Sequence, residues 1–168
     1  GYEIWVAEGT YVLGAPLSIP WAETKIPLKI YGGFESGAIT LAERDWVDNL
    51  TVIDGNGLLE SVVVINTWVD LIDGFTITGG TAGSLGTGGA IDIRGCGSAA
   101  PQPVFQNLVI RGNGGDTTHP PAYYEGGGIY IEDCSPWIVN VSFSNNRVWA
   151  HGGAVFARDS DDSPIDTY

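Results

Sequence analysis

The chain has 168 residues, 43% of them hydrophobic, which suits one domain with a core of its own. Twenty acidic residues against seven basic ones leave a formal charge of −13, which argues against nucleic acid or anionic lipid as a partner. No apolar run approaches the ~20 residues of a membrane helix, so no direct membrane insertion is expected.

The chain opens directly into strand-like sequence, Gly1-Tyr2-Glu3-Ile4-Trp5-Val6. It contains no methionine and no signal peptide, so residues 1–168 are expected to be a single domain that is a processed or partial piece of something longer. Ile30-Tyr31-Gly32 reads as the next strand. Thr40-Leu41-Ala42-Glu43 has the form of a capping box and predicts one short helix near 40–46. Ile53-Asp54-Gly55 and Ile72-Asp73-Gly74 follow, with Ser61-Val62-Val63-Val64-Ile65 as a buried strand between them.

From there a repeat becomes explicit. Ile72, Phe105 and Ile138 are evenly spaced, and Phe75, Leu108 and Val141 keep the same spacing, as do Ile77, Ile110 and Phe143. Gly88-Gly89-Ala90-Ile91, Gly126-Gly127-Gly128-Ile129 and Gly152-Gly153-Ala154-Val155 each lead into an alternating strand. Repetition at intervals of roughly 20–50 residues marks an architecture in which equivalent residues stack. Strands that keep register while loops vary in length fit an all-β, right-handed parallel β-helix, a solenoid of about six to seven coils. The inward column is read as Val6, Ile30, Ile53, Ile72, Phe105, Ile138 and Ile165.

Stacking assigns neighbours. Cys96 and Cys134 each lie five residues past the start of their strand, in adjacent coils. Parallel strands bring Cα atoms to about 4.8 Å, within disulfide range, so the two readings are a disulfide in an oxidising compartment and a pair of buried thiols. Arg94, Glu132 and Arg158 form an outward column of alternating charge, and Asp92, Tyr130 and Phe156 form the next. Asn113 with Asn146, and Asn107 with Asn140, are placed at bends, where they read as turn ladders. Asp54 and Asp73 fall at equivalent positions; each precedes Gly, which is a turn signature.

The pairing of Gly-Gly-Ala-(Ile/Val/Leu) with Phe-x-x-Asn resembles the polymorphic outer-membrane protein repeat and related secreted bacterial β-helix proteins. The match is fullest at Phe143-Ser144-Asn145-Asn146 before Gly152-Gly153-Ala154-Val155, and partial at Ile110-Arg111-Gly112-Asn113 before Gly126. Ile4-Trp5-Val6-Ala7-Glu8-Gly9-Thr10-Tyr11 resembles the opening coils of such proteins. The resemblance implies a secreted or cell-surface bacterial protein. It leaves function open, because the fold hosts adhesins, passengers of secreted proteins, and polysaccharide lyases and hydrolases.

No face shows a carboxylate cluster of the kind carbohydrate cleavage needs, and no catalytic residue is assigned. The expected role is non-catalytic, structural or adhesive, and the alternative is a polysaccharide lyase or glycoside hydrolase of the pectate-lyase-like class. Tyr123 and Tyr124, in the longest insertion of the repeat region, either stack on a sugar or partner or fold back over the wall. Glu125 and His151 each precede a Gly-Gly pair and are read as neighbours, as a surface pair rather than a dyad, and with Tyr123 and Tyr124 they are the candidate partner- or glycan-binding residues. Asp159, Asp161 and Asp162 are calcium candidates, weighed against a solvated acidic turn; no other cofactor is expected. The expected partners are protein or self-stacked copies at open ends, and glycans on the walls.

Overall fold

The computed structural model describes residues 1–19, 27–66, 69–81, 87–96, 102–114, 125–148 and 151–160. Among these residues, apart from a single turn of 3-10 helix, the regular structure is β, arranged in two sheets of parallel strands. Successive segments of chain visit both sheets in turn. The first level comprises β1 (Tyr2–Ala7), β2 (Gly9–Val12) and β3 (Leu17–Ile19), and the second β4 (Leu28–Phe34), β5 (Thr51–Leu58) and β6 (Val63–Ile65). The third comprises β7 (Leu71–Asp73), β8 (Phe75–Gly80) and β9 (Ile91–Arg94), the fourth β10 (Val104–Arg111) and β11 (Ile129–Glu132), and the fifth β12 (Trp137–Ser144) and β13 (Val155–Arg158). The smaller sheet runs β3-β6-β9-β11-β13; the remaining strands form the larger one.

The described strands therefore make five levels rather than six or seven. The difference arises at one place. Ile30 and Ile53 belong to the same level, with residues 35–50 inserted between β4 and β5. Ile30 pairs with Ile4 and Ile72, whereas Ile53 pairs with Tyr11 and Ile77. The inward column is thus Ile4, Ile30, Ile72, Phe105 and Ile138, without Val6 or Ile53. Ile165 lies outside the described residues. Asp54 and Asp73 are not stacked either: Asp54 pairs with Val12 and Thr78, and Asp73 with Tyr31 and Gln106.

The repeated Gly-Gly has two physical causes. The first glycine of each pair is left-handed, with φ +57° at Gly88, +66° at Gly126 and +69° at Gly152, a conformation that L side chains rarely adopt. The second lies under the backbone of its neighbouring level: a Cβ on Gly127 would sit 2.9 Å from the Gly153 carbonyl oxygen. Because the glycines allow this approach, backbone bonds run from level to level through the turn, from Gly89 N to Gly126 O at 3.1 Å and from Gly127 N to Gly152 O at 3.0 Å.

Between the sheets lies an apolar core of stacked β-branched and aromatic residues, including Ile65, Ile77, Ile91, Phe105, Ile110 and Ile129. Burial depends on level. Strands of the middle levels alternate buried and half-buried residues, whereas β1, β2 and β12 are largely exposed. Tyr2, Val12 and Trp137 are 66%, 61% and 68% exposed. The first level frames a wholly apolar cavity of about 250 Å³, lined by Ile4, Val6, Tyr11, Leu13, Leu17 and Ile19 together with residues of the levels above.

The insertion is clasped onto the larger sheet. Its 3-10 turn spans Leu41–Glu43, shorter than the 40–46 helix expected. The Glu43 carboxylate accepts the N–H groups of Ile39 and Thr40, both at 2.7 Å. These bonds, the Ile39 one foremost, hold the Glu43 carboxyl below its ordinary value. Arg44 then reaches back: Nε donates to Gly32 O at 2.6 Å, while Nη1 and Nη2 donate to Asp73.

Candidate functional site

Two outer walls carry the polar side chains that sequence reasoning singled out. On the larger sheet, Asp73 is the hub. Its side chain is 3% exposed and accepts from Arg44 Nη2 at 2.5 Å, Arg44 Nη1 at 3.1 Å, Gln106 Nε2 at 2.7 Å and Asn107 Nδ2 at 2.8 Å. Asn140 Nδ2 continues the ladder to Asn107 Oδ1 at 2.7 Å. Both asparagines are left-handed, with φ +51°, and Gly74, with φ +81°, holds the equivalent bend one level earlier. A second ladder lies at the next bend, where Asn113 Nδ2 donates to Asn146 Oδ1 at 3.1 Å and Asn146 Nδ2 to Ile110 O at 2.8 Å. These two asparagine pairs were legible from spacing. The Arg44–Asp73 pair was not, because nothing in the repeat marks which level an insertion will fold onto.

On the smaller sheet, strand alternation sends Ile91, Ile93, Ile129 and Ile131 into the core and the residues between them outward. Arg94 Nη1 donates to Glu132 at 2.9 Å, and Arg158 Nη2 donates to the other carboxylate oxygen of Glu132 at 2.6 Å, making the alternating-charge ladder continuous. Arg94 Nε also donates to Asp92 at 2.8 Å, and Arg94 Nη2 to Thr87 Oγ1 at 2.6 Å. The hydrogen bond to Asp92 raises the Arg94 pKa, and that to Glu132 raises the Arg158 pKa. Tyr130 lies between the two guanidinium groups, 4.8 Å from Arg94 and 5.6 Å from Arg158, and stacks on Phe156 at 5.9 Å. Burial pushes the Tyr130 phenol up to about 12.

Beside this lattice, Thr87, Glu125 and His151 bridge in sequence through their backbones, which makes Glu125 and His151 neighbours on adjacent levels. The His151 ring is exposed and stacks at 6.2 Å on Phe156, a contact between two residues of one level that the repeat alignment did not anticipate. Tyr123 and Tyr124 lie outside the described residues.

At the end of the same strands, Cys96 and Cys134 are bonded, with Cα atoms 5.0 Å apart, and Cys96 is fully buried. The third position of that column, Ser160, donates its N–H to Asp133 Oδ1 at 2.8 Å, the main cause that lowers the Asp133 pKa. Of the calcium candidates, Asp159 is half-buried beside this turn, while Asp161 and Asp162 lie outside the described residues. Among the described residues no three potential metal ligands cluster.

No family model matches the chain, and no curated protein or solved structure matches it.

Proposed function

We propose that the chain winds as a right-handed parallel β-helix and serves a secreted or surface-displayed bacterial protein as a non-catalytic structural or adhesive rod. Its walls and loops engage protein or glycan partners, and its end faces take a protein partner or a further copy of the chain. The parallel return of each strand to its own sheet supports the right hand, since such a connection is right-handed in about 98% of cases. The Cys96–Cys134 bond supports an oxidising compartment. Among the described residues no helix is long and apolar enough to cross a membrane. The Gly-Gly-Ala and Phe-x-x-Asn residues supply the likeness to polymorphic outer-membrane protein repeats.

The observation that carries the non-catalytic reading is where the wall carboxylates go. Asp73, Asp92 and Glu132 are each committed to an arginine, across levels at Asp73 and Glu132 and within its own strand at Asp92. A general acid or base must keep its proton-carrying oxygen available to substrate. The test is incubation with polyuronides and neutral polysaccharides, followed by assay for unsaturated or reducing ends. No release is expected. Release that disappears in Glu132→Gln, with the variant's thermal melt matching the parent's, would establish the lyase or hydrolase reading instead.

A further inference from the structure

The walls satisfy their buried polar side chains internally, and among the described residues one atom departs from this. Tyr130 Oη is buried and makes no hydrogen bond. A hydroxyl taken out of water without a partner costs stability, so such a group calls for a reason. Packing does not supply one. The equivalent position one level on is Phe156, paired with Tyr130 in register and stacked against it, so this column accepts a phenyl ring without the oxygen.

The surroundings indicate what the oxygen is for. Tyr130 is on the outer face, since Ile129 and Ile131 on either side belong to the core. Around it, Arg94 and Arg158 face three carboxylates, Asp92, Glu132 and Glu125, so this patch carries no excess positive charge to attract an anion. The chain as a whole, at −13, repels one. Alternating donors and acceptors with no excess positive charge suit a ligand whose groups both donate and accept, which is the chemistry of a neutral polyol. Arg158 is the more exposed of the two guanidinium neighbours: its side chain is 48% exposed, it lies over the Tyr130 ring, it stands on β13 at the outer level, and among the described residues Glu132 alone holds it, through Nε at 2.9 Å and Nη2 at 2.6 Å.

We propose that the outer face of the smaller sheet at Tyr130 and Arg158 is a binding site for a neutral saccharide, in which Tyr130 Oη bonds a sugar hydroxyl once Arg158 turns aside. The proposal rests on the reading that the walls engage glycans, and it names the wall and the ligand class. The test is calorimetric titration of the chain and of Tyr130→Phe with gluco-, manno-, galacto- and xylo-oligosaccharides, with oligogalacturonate as the charged comparison, alongside thermal melts of both proteins. A neutral oligosaccharide is expected to bind, and Tyr130→Phe is expected to bind it about tenfold more weakly, the loss of one hydrogen bond. The variant should melt no lower than the parent. A lower melting temperature, or failure to fold, would show that the hydroxyl has a partner inside the protein and would overturn the proposal. So would a preference for the uronate. Equal affinity of the two proteins would sink this site but leave the glycan reading standing. No binding by either protein would remove the glycan reading as well, leaving the rod to be judged by the turnover assay.

Discussion

Asp73 is the residue on which the larger sheet's outer wall depends. It joins three levels through side chains that lie far apart in sequence: Arg44 from the insertion of level two, and Gln106 and Asn107 from level four. Its carboxylate and the guanidinium are both largely out of water, at 3% and 12% exposure. Breaking such a pair leaves an uncompensated charge, a loss of about 3–5 kcal/mol. Asp73→Asn is therefore expected to lower unfolding stability by about 3 kcal/mol in urea titration. Asp54 is half-buried and accepts one bond, from Asn56 N at 2.7 Å, so Asp54→Asn is expected to change stability by less than about 1 kcal/mol. Equal losses in the two variants would mean that they are equivalent after all. At Asn107 the left-handed backbone sets the preference. Asn107→Ala keeps the Cβ but loses the side-chain amide that donates to the Asp73 carboxylate, and is expected to cost about 1.5–3 kcal/mol in the same titration.

At the scale of the element, the insertion over 35–50 carries its own pH response. The Glu43 carboxyl is held below its ordinary value by the N–H groups of Ile39 and Thr40, so its contribution is fully present above the unfolded-state value. That contribution is lost as pH falls through the lower, folded-state value. Amide exchange at Ile39 and Thr40, followed over the acid range below the ordinary carboxylate value, is expected to accelerate while the core strands remain protected. Glu43→Gln removes the titrating group. The glutamine oxygen can still accept the two N–H groups, so exchange at neutral pH should stay near the parent's and should show no such acid step beyond the intrinsic exchange chemistry. An unchanged acid step in the variant would assign the response to another carboxylate.

Across the whole molecule, two features govern integrity: the bond between levels three and four, and the two end faces. The disulfide closes a loop with a sequence separation of 38, for which loop-closure entropy gives about 4 kcal/mol. Cys96→Ser with Cys134→Ser, or reduction, is expected to lower unfolding stability by a margin of that order, seen calorimetrically as a lower melting temperature. The end faces expose what the middle levels bury: Ile4 is 48% exposed and Ile138 37%, in the column where Phe105 is fully buried. Such edges pair readily with other strands. The 168-residue chain is expected to associate in a concentration-dependent way by sedimentation, and Ile4→Asp or Ile138→Asp to weaken that association. A compact monomer at all concentrations, with both end levels protected from hydrogen exchange, would overturn this expectation.

What the sequence determined by itself is whatever recurs at constant spacing. From Ile72 onward each level repeats after 33 residues in the larger sheet, so the pairing of Ile72, Phe105 and Ile138 follows from alignment. The Arg94–Glu132–Arg158 ladder, the asparagine ladders and the adjacency of Cys96 and Cys134 follow in the same way, because parallel stacking turns equal position into contact. The glycine pairs are legible because a left-handed turn and a close backbone approach admit little else. The tertiary structure decided everything that interrupts the repeat. Two strands of one level, around Ile30 and Ile53, look alike to an alignment, since each must place an apolar residue inward before a glycine bend. Only pairing shows that residues 35–50 leave and rejoin a single level. The partners of Arg44 and the unpaired hydroxyl of Tyr130 are likewise invisible in sequence. A hydrogen bond depends on where an oxygen ends up, and that is set by packing between levels, which the order of residues along the chain does not record.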